Sequence, residues 1–150
     1  MVNSLILQNH TIVVLSRNPS KHIKKFDSQV SLVDWECNDI ELLKNIDGVV
    51  KLSGESVAQL WTKNTKKKIL ASRIDLSQTL SKFLIKNKIN SKVLINASAI
   101  GFYSKKSMED DGEVNDVSNG GDSFLSIVCQ LNEEYCQLFF YHGMRVSIHI

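Results

Sequence analysis

Residues 1–21, "MVNSLILQNHTIVVLSRNPSK", decide how the rest of the chain is read. The stretch is the end of a helix over 2–9, a short turn, and a strand over 11–16 that closes on Ser-Arg-Asn-Pro. "TIVVLS" is a continuous apolar run rich in β-branched residues, the pattern of a strand buried on both faces in a parallel sheet. Units of this kind usually follow another strand and a glycine loop that grips phosphate. Here the sequence starts in mid-motif.

Outward from this unit, helix and strand signals alternate. A lysine-rich loop leads to "QVSLVDW" (29–35), a second strand. Asn38 and Asp39 are placed to cap a short helix over 40–46, with Leu42, Leu43 and Ile46 on one face. Asp47-Gly48 turns the chain into "VVKLSG" (49–54), a third strand ending in a small-residue turn. The first long helix is expected over 62–87, where Leu76, Leu80, Phe83 and Leu84 recur at helical spacing. Lys66, Lys67 and Lys68 near its start read as a solvated face.

"KVLINAS" (92–98) is the fourth strand. Residues 102–121 are polar and glycine-rich, carry Glu109, Asp110, Asp111, Glu113 and Asp116, and read as a surface loop. Asp122 is placed to cap the last helix, whose apolar stripe of Phe124, Leu125, Val128, Cys129, Tyr135, Cys136, Phe139 and Phe140 is interrupted by Asn132. Gly143 stops that helix, and "MRVSIHI" (144–150) is a fifth strand. Alternation throughout predicts an α/β, doubly wound parallel sheet. No linker divides the chain, so residues 1–150 form one domain.

The totals narrow the function classes. A length of 150 residues, 43% apolar and 23% charged, is ordinary for a globular domain. A net charge of +2 gives no bulk electrostatic case for nucleic acid or for an anionic membrane. Only three of the 18 basic residues are arginines, Arg17, Arg73 and Arg145. Cys37, Cys129 and Cys136 show neither disulfide nor zinc spacing and read as buried reduced thiols. His10, His22, His142 and His149 share no ligand spacing. No signal peptide or membrane span is apparent, and a cytoplasmic location is expected.

With the elements in order, five stretches carry a resemblance: "VVLSRNP" (13–19), "LSGES" with "LWT" (52–62), "KKILASRID" (67–75), "LINASAIGFYS" (94–104) and "GGDSFLSIVCQLNEEY" (120–135). Together they resemble the epimerase-like branch of the extended short-chain dehydrogenase/reductases. The resemblance implies an NADP-binding Rossmann fold related to nucleotide-sugar epimerases and dehydratases, acting on a small or nucleotide-linked substrate.

Within that resemblance, Arg17 follows a strand where a dinucleotide fold meets the adenosine ribose. An arginine there pairs with a 2′-phosphate and selects NADP, and Ser16 and the backbone of Asn18 add donors. Glu36 stands where the family places an acidic residue near adenine. Leu52, Ser53, Gly54 and Glu55 form a strand-end turn that lines the dinucleotide crevice, with Gly54 permitting close backbone approach. Ser98 occupies the position of a Ser or Thr that hydrogen-bonds a substrate oxygen, and Tyr103 is expected in the same pocket. Read alone, each of these is also an ordinary turn or surface residue.

The superfamily's Tyr-x-x-x-Lys pair, in which an ammonium lowers the pKa of a phenol one helical turn away, is absent. Four residues beyond Tyr103, Tyr135 and Tyr141 stand Ser107, Phe139 and Arg145, and Leu125 and Cys129 occupy the pair's places. The branch resembled also departs from the pair, so a specific reaction stays unassigned.

The resemblance further implies a truncated domain. Family members begin with a strand and a GxxGxxG loop leading into the helix whose tail is 2–9, and they continue beyond "RVSIHI" into a substrate lobe. In the strand order 3-2-1-4-5 the absent first strand is the central one, which leaves two inner edges unpaired. Two expectations follow. Either the strand is supplied from elsewhere, by a differently placed start or a separate chain, or the piece is an inactive remnant.

Overall fold

The computed structural model describes residues 1–26, 28–36, 40–103 and 120–149. Cys37, the Asn38–Asp39 cap and the acidic residues Glu109 to Asp116 lie outside them. In chain order the elements are α1 (Val2–Leu7), β1 (Ile12–Ser16), α2 (Pro19–His22), β2 (Val30–Asp34), β3 (Gly48–Lys51), α3 (Lys63–Lys86), β4 (Val93–Ala97), α4 (Phe124–Glu134), α5 (Gln137–Phe140) and β5 (Arg145–His149). Short 3-10 turns cover Ile23–Lys25, Glu41–Leu43 and Ile100–Phe102.

All strand pairs are parallel, with Ile12 opposite Val30, Gly48 opposite Val93 and Val93 opposite Arg145. They form two sheets, β1-β2 and β3-β4-β5. Among the described residues β1 is thus hydrogen-bonded only to β2, and β3 only to β4. The expected parallel α/β architecture is present, and so are the two unpaired inner edges. The apolar strand β1 is correspondingly only half-buried along its length.

Both sheets nonetheless share one core. Val33 of β2, Leu94 of β4, Leu80, Phe83 and Leu84 of α3, and Phe139 of α5 belong to a single buried cluster. The Trp35 and Phe83 rings meet edge-on at 5.5 Å. Burying a side chain the size of Phe139 or Leu94 contributes about 1.5–3 kcal/mol, so α3 ties the half-sheets together by apolar contact where hydrogen bonds do not.

Three helices feed strands through the same stop. At Asn9 (φ 63°), Lys88 (φ 53°) and Gly143 (φ 78°) the chain turns left-handed. In each case the following N–H reaches back five residues: His10 to Leu5, Ile89 to Leu84 and Met144 to Phe139. These paired back-bonds satisfy the last helical carbonyls and set up β1, β4 and β5. Gly143 acts as the predicted helix stop.

Three expected elements differ. The lysine-rich loop holds a short helix, because Pro19 presets the first helical φ and Asn18 Oδ1 accepts from Lys21 N at 3.2 Å. Only Glu41–Leu43 within 40–46 is helical, as a 3-10 turn. The last helix is capped by Ser123, whose Oγ accepts from Ser126 N at 3.1 Å, in place of Asp122. It also divides after Glu134. Cys136 Sγ donates to the Asn132 carbonyl at 3.2 Å, and the Cys136 N–H bonds Glu133 O instead of Asn132 O. The thiol thereby displaces one rung of the helical ladder.

Candidate functional site

The carboxyl ends of β3 and β4 open into a cavity of about 450 Å³, lined also by α3 and α4. Crevices at the carboxyl edge of a parallel sheet are where α/β folds bind ligands, since the strands end there and the loops diverge. Leu52, Ser53 and Gly54 of the expected cofactor turn line it together with Ser98, the residue expected to meet substrate, while Glu55 is not among the lining residues.

Ser98 is held at the end of β4 by its N–H, which donates to His149 O at 2.6 Å. Its hydroxyl donates to Glu133 Oε1 of α4. With its hydrogen so engaged, Ser98 Oγ is left as an acceptor on a residue that lines the cavity. Tyr103 is 9% exposed, packs edge-on against Phe102 at 5.3 Å, and lies outside the cavity lining. Structure therefore does not bring Tyr103 to Ser98 through this cavity.

The turn after β3 is fastened to α3. Glu55 N–H donates to Ser72 Oγ at 2.8 Å, and Arg73 Nη1 donates to Glu55 O at 3.2 Å. A Cβ on Gly54 would stand 2.9 Å from Arg73 Cζ, so the glycine lets the guanidinium lie against the backbone. The Glu55 carboxylate accepts from Gln59 Nε2 at 3.1 Å.

Beneath the cavity sits a buried amine. Lys51, 4% exposed, donates from Nζ to Ser77 Oγ at 2.6 Å and to Asn132 Oδ1 at 2.8 Å, with Cys136 Sγ at 3.8 Å. Burial pushes its pKa below the usual lysine value, the nearby Cys136 partly opposing. Asn132 Nδ2 donates in turn to Ala97 O at 3.1 Å, joining α4 to β4. Directly opposite Lys51 in the parallel register is Asn96. Asn96 is fully buried, and neither Oδ1 nor Nδ2 has a hydrogen-bond partner among the described residues. Burial also pushes the Cys129 and Cys136 thiols up, which favours the protonated form of each.

At the end of β1, Arg17 is exposed and makes no hydrogen bond or ion pair among the described residues. Ser16 Oγ accepts from the Asn18 N–H at 3.2 Å, which commits that donor within the turn. Glu36 is exposed beyond β2, its N–H donating to Asp34 Oδ1 at 2.9 Å. Ser16, Arg17, Asn18 and Glu36 stand at or just beyond the ends of β1 and β2, while the cavity belongs to β3-β4-β5.

Lys51, Asn96, Arg73 and Glu133 were not singled out for chemistry in the sequence. The first two leave a signal, each being a polar residue inside an apolar strand, "VVKL" and "LINA". Among the described residues no cluster of His, Cys, Asp and Glu could hold a metal. No helix among them is long and apolar enough to cross a membrane.

No family model matches the chain. Among curated proteins it is 31% identical over 144 residues to the epimerase family protein YfhF of Bacillus subtilis, covering 94% of this chain and 46% of that one. It is 30% identical over 150 residues to epimerase family protein SA0724 of Staphylococcus aureus, covering 99% and 48%. Among solved structures, the human epimerase family protein SDR39U1 with NADPH superposes with a TM-score of 0.70 at 21% identity, over 98% of this chain and 47% of that one. The UDP-glucuronic acid 4-epimerase of Bacillus cereus, with UDP-glucuronic acid and NAD, gives 0.71 at 17%, over 97% and 50%. The chain thus spans about half the length of the relatives it matches. Over that half it is related to the epimerase family proteins, and its fold is the Rossmann-like fold of the solved epimerases.

Proposed function

We propose that the chain is the nucleotide-binding part of an NADP-dependent, epimerase- or reductase-like protein that acts on a small or nucleotide-linked substrate. The observation that carries this reading is the cavity at the carboxyl edge of β3 and β4, with Ser98 on its wall and the Glu133 carboxylate hydrogen-bonded to Ser98 from outside the lining. The NADPH and NAD named with the solved relatives support a nicotinamide nucleotide as cofactor.

The residues fit such a group at its adenosine end. Arg17, exposed and unpaired among the described residues, has the planar fork of donors that a 2′-phosphate takes, and Glu36 stands beyond the neighbouring strand. Leu52, Ser53 and Gly54 would line its path into the cavity. A bound nicotinamide would supply hydride acceptance and return. The chain's own part is proton handling. A substrate hydroxyl set against Ser98 Oγ passes its proton there while the Ser98 proton moves to the Glu133 carboxylate. Tyr103 remains a second candidate for contact with substrate.

One condition attaches to this reading. Among the described residues β1 and β3 each carry an unpaired inner edge, which supports a further strand, from a differently placed start or a separate chain, lying between the two sheets. Without it the piece would act as a remnant with no activity of its own. Two buried free thiols, Cys129 and Cys136, support a reducing, cytoplasmic setting.

Thermal unfolding of the purified chain with NADPH, with NADH and with neither tests the cofactor assignment. A midpoint raised by NADPH alone, and the loss of that rise in Arg17→Gln, are expected. A midpoint indifferent to both nucleotides would overturn stand-alone binding.

A further inference from the structure

The cavity is lined by two cationic side chains, and the Glu133 carboxylate meets it only through Ser98. Lys51 and Arg73 both line it, and no Asp or Glu does. Among the described residues the ion pairs are Lys44–Glu41 and Lys92–Asp47, so neither cavity cation has a carboxylate partner. The three atoms around Lys51 Nζ belong to neutral groups, a hydroxyl, a carboxamide and a thiol. Arg73 Nη1 is committed to Glu55 O, Ile69 O and Ser72 Oγ. Its Nε and Nη2 make no hydrogen bond among the described residues.

Asn96 adds a second kind of evidence. Asn96 is among the lining residues, opposite Lys51 in register, and both polar atoms of its buried carboxamide lack a partner among the described residues. Buried polar atoms are almost always bonded, and exceptions mark sites with a role. Around this floor the walls are apolar, with Leu52, Val57, Ile100 and Leu125. The volume is that of a small-molecule site. Holding two cations beside low-dielectric walls is unfavourable unless something anionic joins them.

We infer that this cavity is an oxyanion site, taking the carboxylate or phosphoryl group of a small molecule. Arg73 is the direct donor, Lys51 is the charge behind it, and the apolar walls hold the carbon skeleton. Lys51 meets the anion through its field alone, because its donors already face Ser77, Asn132 and Cys136. The chain Lys51–Ser77–Arg73 carbonyl, closed by Ser77 Oγ donating to Arg73 O at 3.0 Å, fixes the two cations relative to each other. The inference rests on the reading of this cavity as the ligand end of the site, and it adds the charge class of the ligand. That charge has two sources, the cofactor's pyrophosphate or an acidic group on the substrate.

The test is titration of the full chain with sodium malonate and with inorganic phosphate, against sodium chloride at matched ionic strength, followed by calorimetry and thermal midpoint. A saturable response beyond chloride is expected, and Arg73→Gln should weaken it by about tenfold or more, the scale of one charge-assisted hydrogen bond. Gly54→Ala, which pushes the guanidinium aside with the arginine intact, should weaken it likewise and serves if Arg73→Gln does not fold. Repeating the malonate titration in saturating NADPH separates the sources: unchanged affinity assigns the site to a substrate acid, and competition assigns it to the cofactor's pyrophosphate. Arg17→Gln should abolish the NADPH effect and leave malonate untouched, so failure of the nucleotide reading and failure of the oxyanion site are distinguishable. A response no greater than chloride, or full malonate affinity retained in both Arg73→Gln and Gly54→Ala, would overturn the inference.

Discussion

The Ser98 hydroxyl donates to the Glu133 carboxylate, linking the end of β4 to the last turn of α4 across 35 residues of sequence. A hydrogen bond to a charged, half-buried group contributes about 1.5–3 kcal/mol, less where solvent reaches it. Ser98→Ala should therefore lower stability by about 1–2 kcal/mol in urea unfolding. Glu133→Gln keeps an accepting Oε1 and should cost less. Equal losses in the two variants would mean that the charge, and not the bond, is what holds α4 to β4.

Asn96 makes the opposite prediction. A fully buried carboxamide with no partner costs folding free energy, since water would bond both of its atoms in the unfolded chain. Leucine has the same branching and no polar atoms. Asn96→Leu should raise stability by about 1–2 kcal/mol while removing one polar group from the cavity floor. A loss of stability in denaturant melts would show that the carboxamide is satisfied.

Gly54 and Arg73 can be tested as a pair. Gly54→Ala brings a Cβ to 2.9 Å from Arg73 Cζ, and because the guanidinium is the free end of a flexible side chain, it yields in preference to the backbone. Its bonds to Glu55 O and Ile69 O go with it. Each single variant should cost about 1 kcal/mol, and the double variant Gly54→Ala with Arg73→Gln should cost little more than one. Additive losses in the double-mutant cycle would show that Gly54 serves the turn independently of Arg73.

These relationships mark how far the sequence could be read. Strands β1, β4 and β5 and the helix α3 were legible because their signals are local: apolar runs, 3.6-residue spacing, and a glycine stop at 143. The division into two half-sheets followed from the strand order that the family resemblance implies. Lys51 was not legible as a site residue, because its partners Ser77 and Asn132 stand 26 and 81 residues away. Asn132 was visible only as a break in an apolar stripe, and its two bonds, to Lys51 and to Ala97 O, are what that break is for. The break between α4 and α5 depends on a thiol donating to a carbonyl four residues back, a competition that composition and spacing do not encode.

Lys51 also sets a pH dependence whose sign is fixed by burial. Its pKa in the folded chain lies below the unfolded value near 10.5, so between the two the unfolded state holds more protons. The cost of burying the ammonium is fully present below the folded pKa, shrinks as pH rises through it, and vanishes above 10.5. Cys129 and Cys136 act in the opposite sense. Their folded pKa values are raised, so their contribution is present below the unfolded value of 9.0 and is lost at higher pH. Lys51→Met, which fills the same space without charge, separates the effects. It should be most favourable relative to the parent at neutral pH, where replacing a buried cation by an apolar side chain is neutral or stabilising, and its advantage should shrink toward pH 10. The cysteines do not reverse this trend. Lys51 holds the Cys136 thiol down, so removing it raises that pKa and deepens the alkaline loss in the variant. Stability curves of the two proteins from pH 7 to 10 provide the check, and an advantage that stays constant or grows with pH would mean that the Lys51 amine is not depressed.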